Sequence, residues 1–348
     1  MNRLGRGLKS IKMKKILIIT DNLQDQINGV VTTYKNIEHH ALLDGYHVDY
    51  LDPGRFRYVD CPKYNQVKLS WPYKMGQKIK EIAPDHIHIA TEGPLGLFAR
   101  IYLTKLGIRY NTAYHTRFPE GLKKIMNLPE NISWSYLRWF HKHCGKILVP
   151  TESIKRELRD KGFTNEIVSW TRGVDRSIFM PQVDKKVNVE QPLLVCVSRV
   201  SKEKSLELFF EMQYPGARKI MVGDGPMLEE YKERYTDVHF VGFKTGQELV
   251  KYYANADVFV FPSSWETFGI VMIEAMACGT PVAAFPTTGP IDIIDQGITG
   301  YMDNDLATAV KHCLALDRTQ VESYSQKWDW KNAWEIFRDN LVDTKNVS

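Results

Sequence analysis

Short apolar runs alternate with amphipathic stretches along the first half of the chain. Lys14–Thr20 predicts a buried first strand, and the pattern from Val30 to Leu43 predicts a helix that ends at Gly45. Further strands are predicted at His86–Pro94, Arg109–Thr116 and Lys146–Thr151. Strands that alternate with helices predict an α/β fold with a parallel, doubly wound sheet, whose ligands bind at the carboxyl ends of the strands.

The same pattern restarts after a polar stretch, Arg176–Pro192, which has a proline near each end and is typical of a linker. We therefore expect two Rossmann-like domains that face a cleft, at residues 1–180 and 181–325. In the last segment, 326–348, apolar residues at helical spacing predict a final helix.

Composition adds three constraints on the class of protein. The 348 residues are 43% hydrophobic, and no apolar run approaches the ~18 residues of a membrane span. The basic N-terminus has no apolar segment of the secretory type, and translation from Met1 or from Met13 both stay open. Five widely spaced cysteines without a C-x-x-C pair favour a reducing, cytoplasmic compartment.

The net charge of +5 conceals an asymmetry between the two halves. Residues 1–180 hold 29 Lys and Arg against 17 Asp and Glu, which gives +12, while residues 181–348 hold 17 against 24, which gives −7. A basic half predicts an anionic partner. Because the chain has no helix-turn-helix, RNP or zinc pattern, we expect an anionic membrane surface and no nucleic acid.

The most informative segment is Trp265–Ala284. Here Glu266 and Glu274 are separated by seven residues, with Gly269 between them and a predicted buried strand just upstream. A helix that starts after such a strand presents free amides to an anion, and a glycine lets a phosphate approach the backbone. The two carboxylates can then bind hydroxyls of a sugar and of a ribose. The pattern therefore indicates a nucleotide-sugar site, although a buried helix with two incidental acids would share it.

This segment resembles the signature of the family-4 retaining glycosyltransferases of GT-B fold, in particular the bacterial GDP-mannose-dependent α-mannosyltransferases and the sulfoquinovosyl- and glycosyl-diacylglycerol synthases. The likeness extends over residues 13–340 and implies that the final helix, within 326–348, packs back on the first domain. It implies that Glu274 binds the ribose and Glu266 the sugar hydroxyls. The intervening donor-binding residues would be Phe268, Gly269, Ile270 and Val271.

The segment Val197–Glu207 resembles the family's diphosphate-binding turn, which implies that Arg199 and Lys204 hold the donor diphosphate and act in catalysis together with Glu266. Two cations beside a helix start can offset charge that develops on the leaving phosphate. This chain departs from the family pattern at Ser198, where the family has glycine, and at Ser205, where it has asparagine.

Three glycine-containing turns complete the predicted donor site. Gly223, together with Val241 and Phe243, resembles the wall that contacts the nucleotide base. Gly29 opens the first helix, where the family places a glycine near the diphosphate. A dehydrogenase would need G-x-G-x-x-G at that turn, so no dinucleotide cofactor is expected.

The acceptor side is less specified. His115 ends a strand and resembles the family's histidine near the transferred sugar, although a lone histidine is often only a satisfied polar group. The other acceptor-binding candidates are Asp21, Glu92, Thr116 and Phe118. The segment Arg172–Asp175 resembles the family's domain junction and is expected to be structural.

Neither a metal nor another cofactor is predicted. His141, His143 and Cys144 are close in sequence, but a second ligand pair is missing and the segment reads as a basic helix.

The stretch Arg117–Lys146 interleaves Trp134, Trp139 and Phe140 with lysines and arginines. Such a helix suits the headgroup zone of a bilayer, and it equally suits a helix that buries its aromatic residues in the core. The charge of the first half favours membrane contact.

The resemblance implies a retaining transfer of a hexose-type sugar from UDP- or GDP-sugar to an acceptor hydroxyl. Because several such enzymes glycosylate membrane lipids, diacylglycerol is the expected acceptor and the inner face of the membrane the expected location. The alternatives are a soluble glycan or small-molecule acceptor, a sugar-nucleotide epimerase of the same shape, and a non-catalytic basic binder. The sugar, the base and the oligomeric state stay open.

Overall fold

The computed structural model describes residues 13–26, 28–61, 64–117, 119, 123, 129–181, 187–263 and 266–345. Its strands are β1 (Lys14–Ile19), β2 (Tyr46–Leu51), β3 (Arg57–Cys61), β4 (Tyr64–Trp71), β5 (His86–Ile89), β6 (Asn111–Ala113), β7 (Lys146–Val149), β8 (Glu166–Ser169), β9 (Leu193–Val197), β10 (Arg218–Val222), β11 (Val238–Gly242), β12 (Val258–Phe261), β13 (Val282–Ala284) and β14 (Gly300–Met302).

The α-helices connect these strands or follow them. They are α1 (Gly29–Leu43), α2 (Met75–Ile82), α3 (Pro94–Lys105), α4 (Glu130–His141), α5 (Glu152–Asp160), α6 (Glu207–Phe210), α7 (Leu228–Arg234), α8 (Gly246–Asn255), α9 (Ile270–Ala277), α10 (Pro290–Ile293), α11 (Leu306–Cys313), α12 (Arg318–Tyr324) and α13 (Trp330–Asp339). None of the helices in the described ranges is both long and apolar enough to cross a bilayer.

Two six-stranded sheets carry the fold. Their strand orders are β2-β1-β5-β6-β7-β8 and β11-β10-β9-β12-β13-β14, and the registered pairs within both sheets are parallel. The inner residues of the central strands are buried, as Ile16–Ile19 and Val258–Phe261 show. In each sheet the strand order reverses next to the strand that comes first in the sequence, β1 or β9. Ligands bind at this point in doubly wound sheets. The predicted α/β class with two parallel, Rossmann-like sheets is confirmed.

A two-stranded antiparallel ribbon, β3 with β4, was not expected from the sequence. The sequence also left the edge strands β8 and β14 unpredicted. All of these lie at the margin of the fold, where burial leaves a weak pattern.

By its contacts the chain divides into two compact units. The first unit comprises the described residues of Met1–Ala113, His143–Ile147 and Asn340–Ser348, and the second those of Tyr114–Lys142 and Leu148–Asp339. The division does not follow the linker near residue 180, so the domain limits inferred from the sequence stay a prediction.

The final helix, α13, lies in the second unit. Its Ala333 carbonyl accepts a 2.9 Å hydrogen bond from the indole of Trp170, and the rings of Trp170 and Phe337 lie 4.9 Å apart. The apolar stripe of the helix therefore packs against Trp170, the residue that follows β8.

Candidate active site

The two glutamates of the signature segment flank the start of α9. Strand β12 ends at Phe261, and the helix begins directly after Gly269, whose φ of 91° is left-handed. A Cβ atom at this glycine would come within 2.7 Å of the Met272 methyl carbon. The backbone conformation thus favours glycine, and any side chain here would also have to displace the Met272 methyl group. The predicted strand, turn and helix are confirmed, with Glu266 before the helix and Glu274 within it.

Lys204 and Glu266 form an ion pair. The Lys204 Nζ lies 2.8 Å from the Glu266 Oε2, and both side chains are 23% exposed. Lys204 follows β9, and Glu266 follows β12, which is the neighbouring strand of the second sheet. The carboxyl ends of parallel neighbours meet at one edge, so the fold itself brings these two predicted residues together.

Arg199 is held by a partner that the sequence prediction did not assign. Glu203 accepts a hydrogen bond from Arg199 and a 2.8 Å hydrogen bond from the Ser201 hydroxyl. Burial would raise the pKa of Glu203, but hydrogen bonds from the backbone and Ser201, with the charge of Arg199, keep that pKa below its usual value. Glu203 is therefore an anion that holds Arg199 in place.

Glu274 lies in a more desolvated position. The Tyr253 hydroxyl donates a 2.9 Å hydrogen bond to its Oε2. Burial raises the pKa of Glu274 from 4.5 to about 7, although the bond from Tyr253 opposes this shift. Burial and the nearby Glu274 also raise the pKa of Tyr253, so the phenol stays protonated and can donate. Tyr253 lies on α8, and its place beside Glu274 could not be read from sequence spacing.

His115 is buried and held from two directions within the second unit. The Arg172 guanidinium donates to its Nδ1 at 2.9 Å, and the Thr267 hydroxyl donates to its backbone carbonyl at 2.6 Å. Because a guanidinium can only donate, Nδ1 is the acceptor here and the ring of a neutral His115 carries its proton on Nε2. Arg172, expected to be structural, thus positions a candidate catalytic group, and Thr267 ties the Glu266 turn to it.

The predicted base wall lies at the ends of β10 and β11. Gly223 has a φ of 144°, and a Cβ atom there would lie 1.9 Å from the Ser198 carbonyl oxygen. Its amide donates to the Gly242 carbonyl at 2.9 Å. Val241 is partly buried, and Phe243 is 47% exposed and presents its ring at the surface. Near α9, Phe268 is buried, and Ile270 and Val271 are partly buried.

The remaining candidates belong mainly to the first unit. Gly29 is exposed at the start of α1, where the Asn28 side chain caps the helix. Asp21 accepts a 2.6 Å bond from the Thr91 hydroxyl and a 2.8 Å bond from the Leu95 amide, so both its oxygens are engaged. Burial raises the pKa of Asp21 from 3.8 to about 6. These bonds give Asp21 a structural role in holding the start of α3.

The other acceptor candidates are spread over the two units. Glu92 is buried in the first unit, and Thr116 is exposed in the second. Phe118 lies outside the described residues.

The basic aromatic helix of the sequence analysis is α4, and its aromatic residues belong largely to the core. Trp134 and Phe140 are buried, and Trp134 packs on Tyr114 and Phe163. Of these aromatic residues only Trp139, 42% exposed, reaches the surface. The core alternative therefore describes α4, and α4 does not support membrane contact.

No group of three or more potential metal ligands occurs among the residues that the structure describes. The sequence contains one Asp-x-Asp triplet, Asp303–Asp305. There Asp305 caps α11 through bonds from the Ala307 and Thr308 amides, and Asp303 accepts a bond from the Asp305 amide. The triplet thus serves a helix start, and metal independence stays a prediction.

Family models match most of the chain. Residues 28–178 match Glycosyltransferase Family 4, and residues 181–311 match Glycosyl transferases group 1.

Curated relatives include the sulfoquinovosyl transferase of Arabidopsis thaliana, which is 32% identical over 81% of this chain; the chain spans 62% of that relative's length. A GDP-mannose-dependent alpha-mannosyltransferase of Corynebacterium glutamicum is 26% identical over 85% of this chain and 78% of its own. An alpha-monoglucosyldiacylglycerol synthase of Streptococcus pneumoniae is 25% identical over 86% of this chain and 78% of its own.

Solved structures agree on the fold. The sucrose-phosphate synthase of Thermosynechococcus elongatus superposes with a TM-score of 0.73 at 19% identity and covers 94% of both chains. An Anabaena protein solved with UDP and glucose has a TM-score of 0.71 at 14% identity, over 94% of this chain and 98% of its own. The predicted GT-B fold is confirmed, and the chain carries in order a Glycosyltransferase Family 4 domain and a Glycosyl transferases group 1 domain.

Proposed function

We propose that the protein transfers a hexose-type sugar, with retention of configuration, from a UDP- or GDP-sugar to a hydroxyl of a membrane lipid such as diacylglycerol. It would act at the cytoplasmic face of the membrane. The observation that supports this proposal most directly is the 2.8 Å ion pair between Lys204 and Glu266. Glu266 lies on the same segment as Glu274.

The donor would bind along this edge of the second sheet. Glu274 would accept hydrogen bonds from the ribose hydroxyls, and Glu266 from hydroxyls of the sugar. Arg199 and Lys204 would hold the diphosphate, whose oxygens compete with Glu203 and Glu266 for these cations. The amides at the start of α9, from Gly269 onward, would add donors at the positive end of the helix.

Transfer would proceed on one face of the sugar. The bond between the anomeric carbon and the leaving phosphate oxygen breaks, and a bond to the acceptor oxygen forms on the same face. The acceptor proton passes to the leaving phosphate oxygen, so no enzyme nucleophile is required. Lys204 and Arg199 would stabilise the charge that grows on this phosphate, and the Nε2–H of His115 would donate to a sugar hydroxyl.

The lipid acceptor is supported by a relative and by charge. The pneumococcal relative is named for diacylglycerol, and residues 1–180 of this chain carry a net +12 from 29 cationic and 17 acidic residues. The donor nucleotide stays UDP or GDP. Backbone groups near Gly223 would contact the base, so the sequence does not distinguish uracil from guanine.

The test is transfer to diacylglycerol liposomes from UDP- and GDP-sugars, offered one at a time with a chelator present, followed by lipid mass spectrometry. We expect a new glycosyl-diacylglycerol, with the product's anomeric configuration matching that of the donor by NMR. The Lys204→Ala protein is the matched inactive control. Transfer to a soluble glycan alone would overturn the lipid acceptor, an inverted product would overturn retention, and release of an altered UDP-sugar without acceptor would indicate an epimerase.

A further inference from the structure

The β3–β4 ribbon presents an apolar face to solvent. Residues paired across an antiparallel ribbon share one face, and here Arg57 pairs with Trp71, and Val59 with Leu69. Val59 is 48% exposed, Leu69 38% and Trp71 58%, whereas Ser70, on the opposite face, is buried. Helix α3 packs against β4. The ribbon is thus supported from the side of Ser70, where Tyr58 is 40% exposed, and Val59, Leu69 and Trp71 lie on the other side.

Cations surround this apolar face. Tyr73 is 75% exposed just beyond β4, with the Lys74 ammonium 5.3 Å from its ring centre. Lys74 has a left-handed φ of 57° immediately before α2, an uncommon conformation for a lysine. Lys78 on α2 lies 5.6 Å from the ring centre of Phe56. The ribbon and α2 border a groove of about 1220 Å³, whose charged lining residues are four cations and one carboxylate: Arg55, Arg57, Lys74, Lys78 and Glu81.

We infer that this surface docks the protein on an anionic lipid bilayer. We call it the ribbon patch: Arg57, Val59, Leu69, Trp71, Tyr73 and Lys74. An exposed tryptophan and tyrosine next to aliphatic side chains match the interfacial zone of a membrane, where rings sit at headgroup level. The surrounding lysines and arginines complement the negative surface of such a bilayer. A soluble anion would explain the cations alone, but it would leave Val59, Leu69 and Trp71 exposed to water.

This inference rests on the proposed function for its biological sense, since a lipid acceptor has to be reached in a bilayer. It places the membrane contact on the ribbon and α2 and not on α4, where Trp134 and Phe140 are buried in the core.

The test is co-sedimentation with vesicles of phosphatidylcholine alone and of phosphatidylcholine mixed with phosphatidylglycerol, in the absence of any nucleotide sugar. We expect binding to the anionic vesicles only, weakened by added salt, with a blue shift of tryptophan fluorescence. The double variants Trp71→Ala/Tyr73→Ala and Arg57→Glu/Lys74→Glu should each bind at least about tenfold more weakly, because the first loses both interfacial rings and the second turns two attractive charges into repulsive ones.

Matched controls separate the ribbon patch from general exposure and charge. Trp139→Ala removes an exposed tryptophan on α4, and Lys35→Glu reverses an exposed charge on α1; both proteins should bind like the wild type. Binding that survives in both double variants, that is equally strong on neutral vesicles, or that glycerol phosphate fully displaces would overturn the inference.

A second assay distinguishes failure of the docking surface from failure of the proposed function. With a short-chain diacylglycerol in free solution, the ribbon variants should transfer sugar as fast as the wild type. Vesicle binding without any transfer would leave the ribbon patch standing and overturn the lipid acceptor. Loss of soluble transfer in the ribbon variants would show that the patch is part of the active site and overturn its assignment as a docking surface.

Discussion

Lys204 is paired with the carboxylate of Glu266, and Arg199 with that of Glu203. These pairs hold both cations at the edge of the second sheet and so reduce the ordering that donor binding would require. If each cation exchanges its carboxylate partner for a phosphate, the site never holds two unpaired cations.

Replacing Lys204 should therefore affect turnover more than donor affinity. In Lys204→Ala we expect kcat to fall by about 100-fold or more, with KM for the donor changed only a few fold, because charge on the leaving phosphate is largest in the transition state. Steady-state kinetics measure both constants. The control is Lys202→Ala, which removes an exposed lysine of the same short turn and should leave both unchanged. A rise in KM with kcat intact would show instead that Lys204 binds the ground state and the transition state equally.

At the scale of elements, the turn between β12 and α9 depends on one glycine. Gly269 and Gly297 both have left-handed φ values, 91° and 79°, but a Cβ atom crowds Met272 and Phe261 only at Gly269. Gly269→Ala should therefore destabilise the protein by about 1–3 kcal/mol, and Gly297→Ala by only about 1 kcal/mol, the backbone cost alone. Urea unfolding of the two variants measures the difference. Equal losses would mean that Met272 moves aside without cost.

The sequence predicted this element and its neighbours because their signals are local. A buried strand, two acids and a glycine define the β12–α9 turn, and the parallel sheets follow from the alternation of strands and helices. Tyr253 and Arg172 were not recognised, since their roles arise from contacts across 21 and 57 residues. The β3–β4 ribbon was missed for another reason: its apolar side chains face solvent, so no alternation between core and surface marks it.

The departures from the family pattern also acquire a physical meaning at this scale. Ser205 adopts a left-handed φ of 52° after the short turn that carries Lys204. Asparagine, which the family has at this position, tolerates that conformation better than serine does. Ser198 contributes its carbonyl to the close approach at Gly223. The two serines, which stand where the family has glycine and asparagine, thus take part in the backbone turns of the predicted diphosphate site.

At the scale of the whole molecule, both compact units contain a desolvated carboxylate. Asp21 in the first unit and Glu274 in the second have pKa values raised by burial to about 6 and about 7. Their native pKa values lie above the unfolded ones, so the native state binds more protons than the unfolded chain between about pH 4 and pH 7. Stability should therefore fall as the pH rises through this window and level off above it. For Glu274, the carboxylate that costs stability is also the form best able to accept hydrogen bonds from a ribose.

Neutral replacements of these two carboxyl groups should each remove part of the pH dependence of stability. Asp21→Asn and Glu274→Gln keep the shape and one acceptor oxygen, so each should reduce the fall in unfolding free energy between pH 5 and pH 8 by about 1–2 kcal/mol, less than the full shift because some solvent reaches both groups. The two effects should add in the double variant, since the residues lie in different units. Urea unfolding at both pH values measures this, with Asp25→Asn/Glu229→Gln, two exposed acids, as the control. If the double variant kept the wild-type pH dependence, other groups would cause it. The ionised carboxylate of Glu274, proposed to bind the ribose, would then not be destabilised by burial.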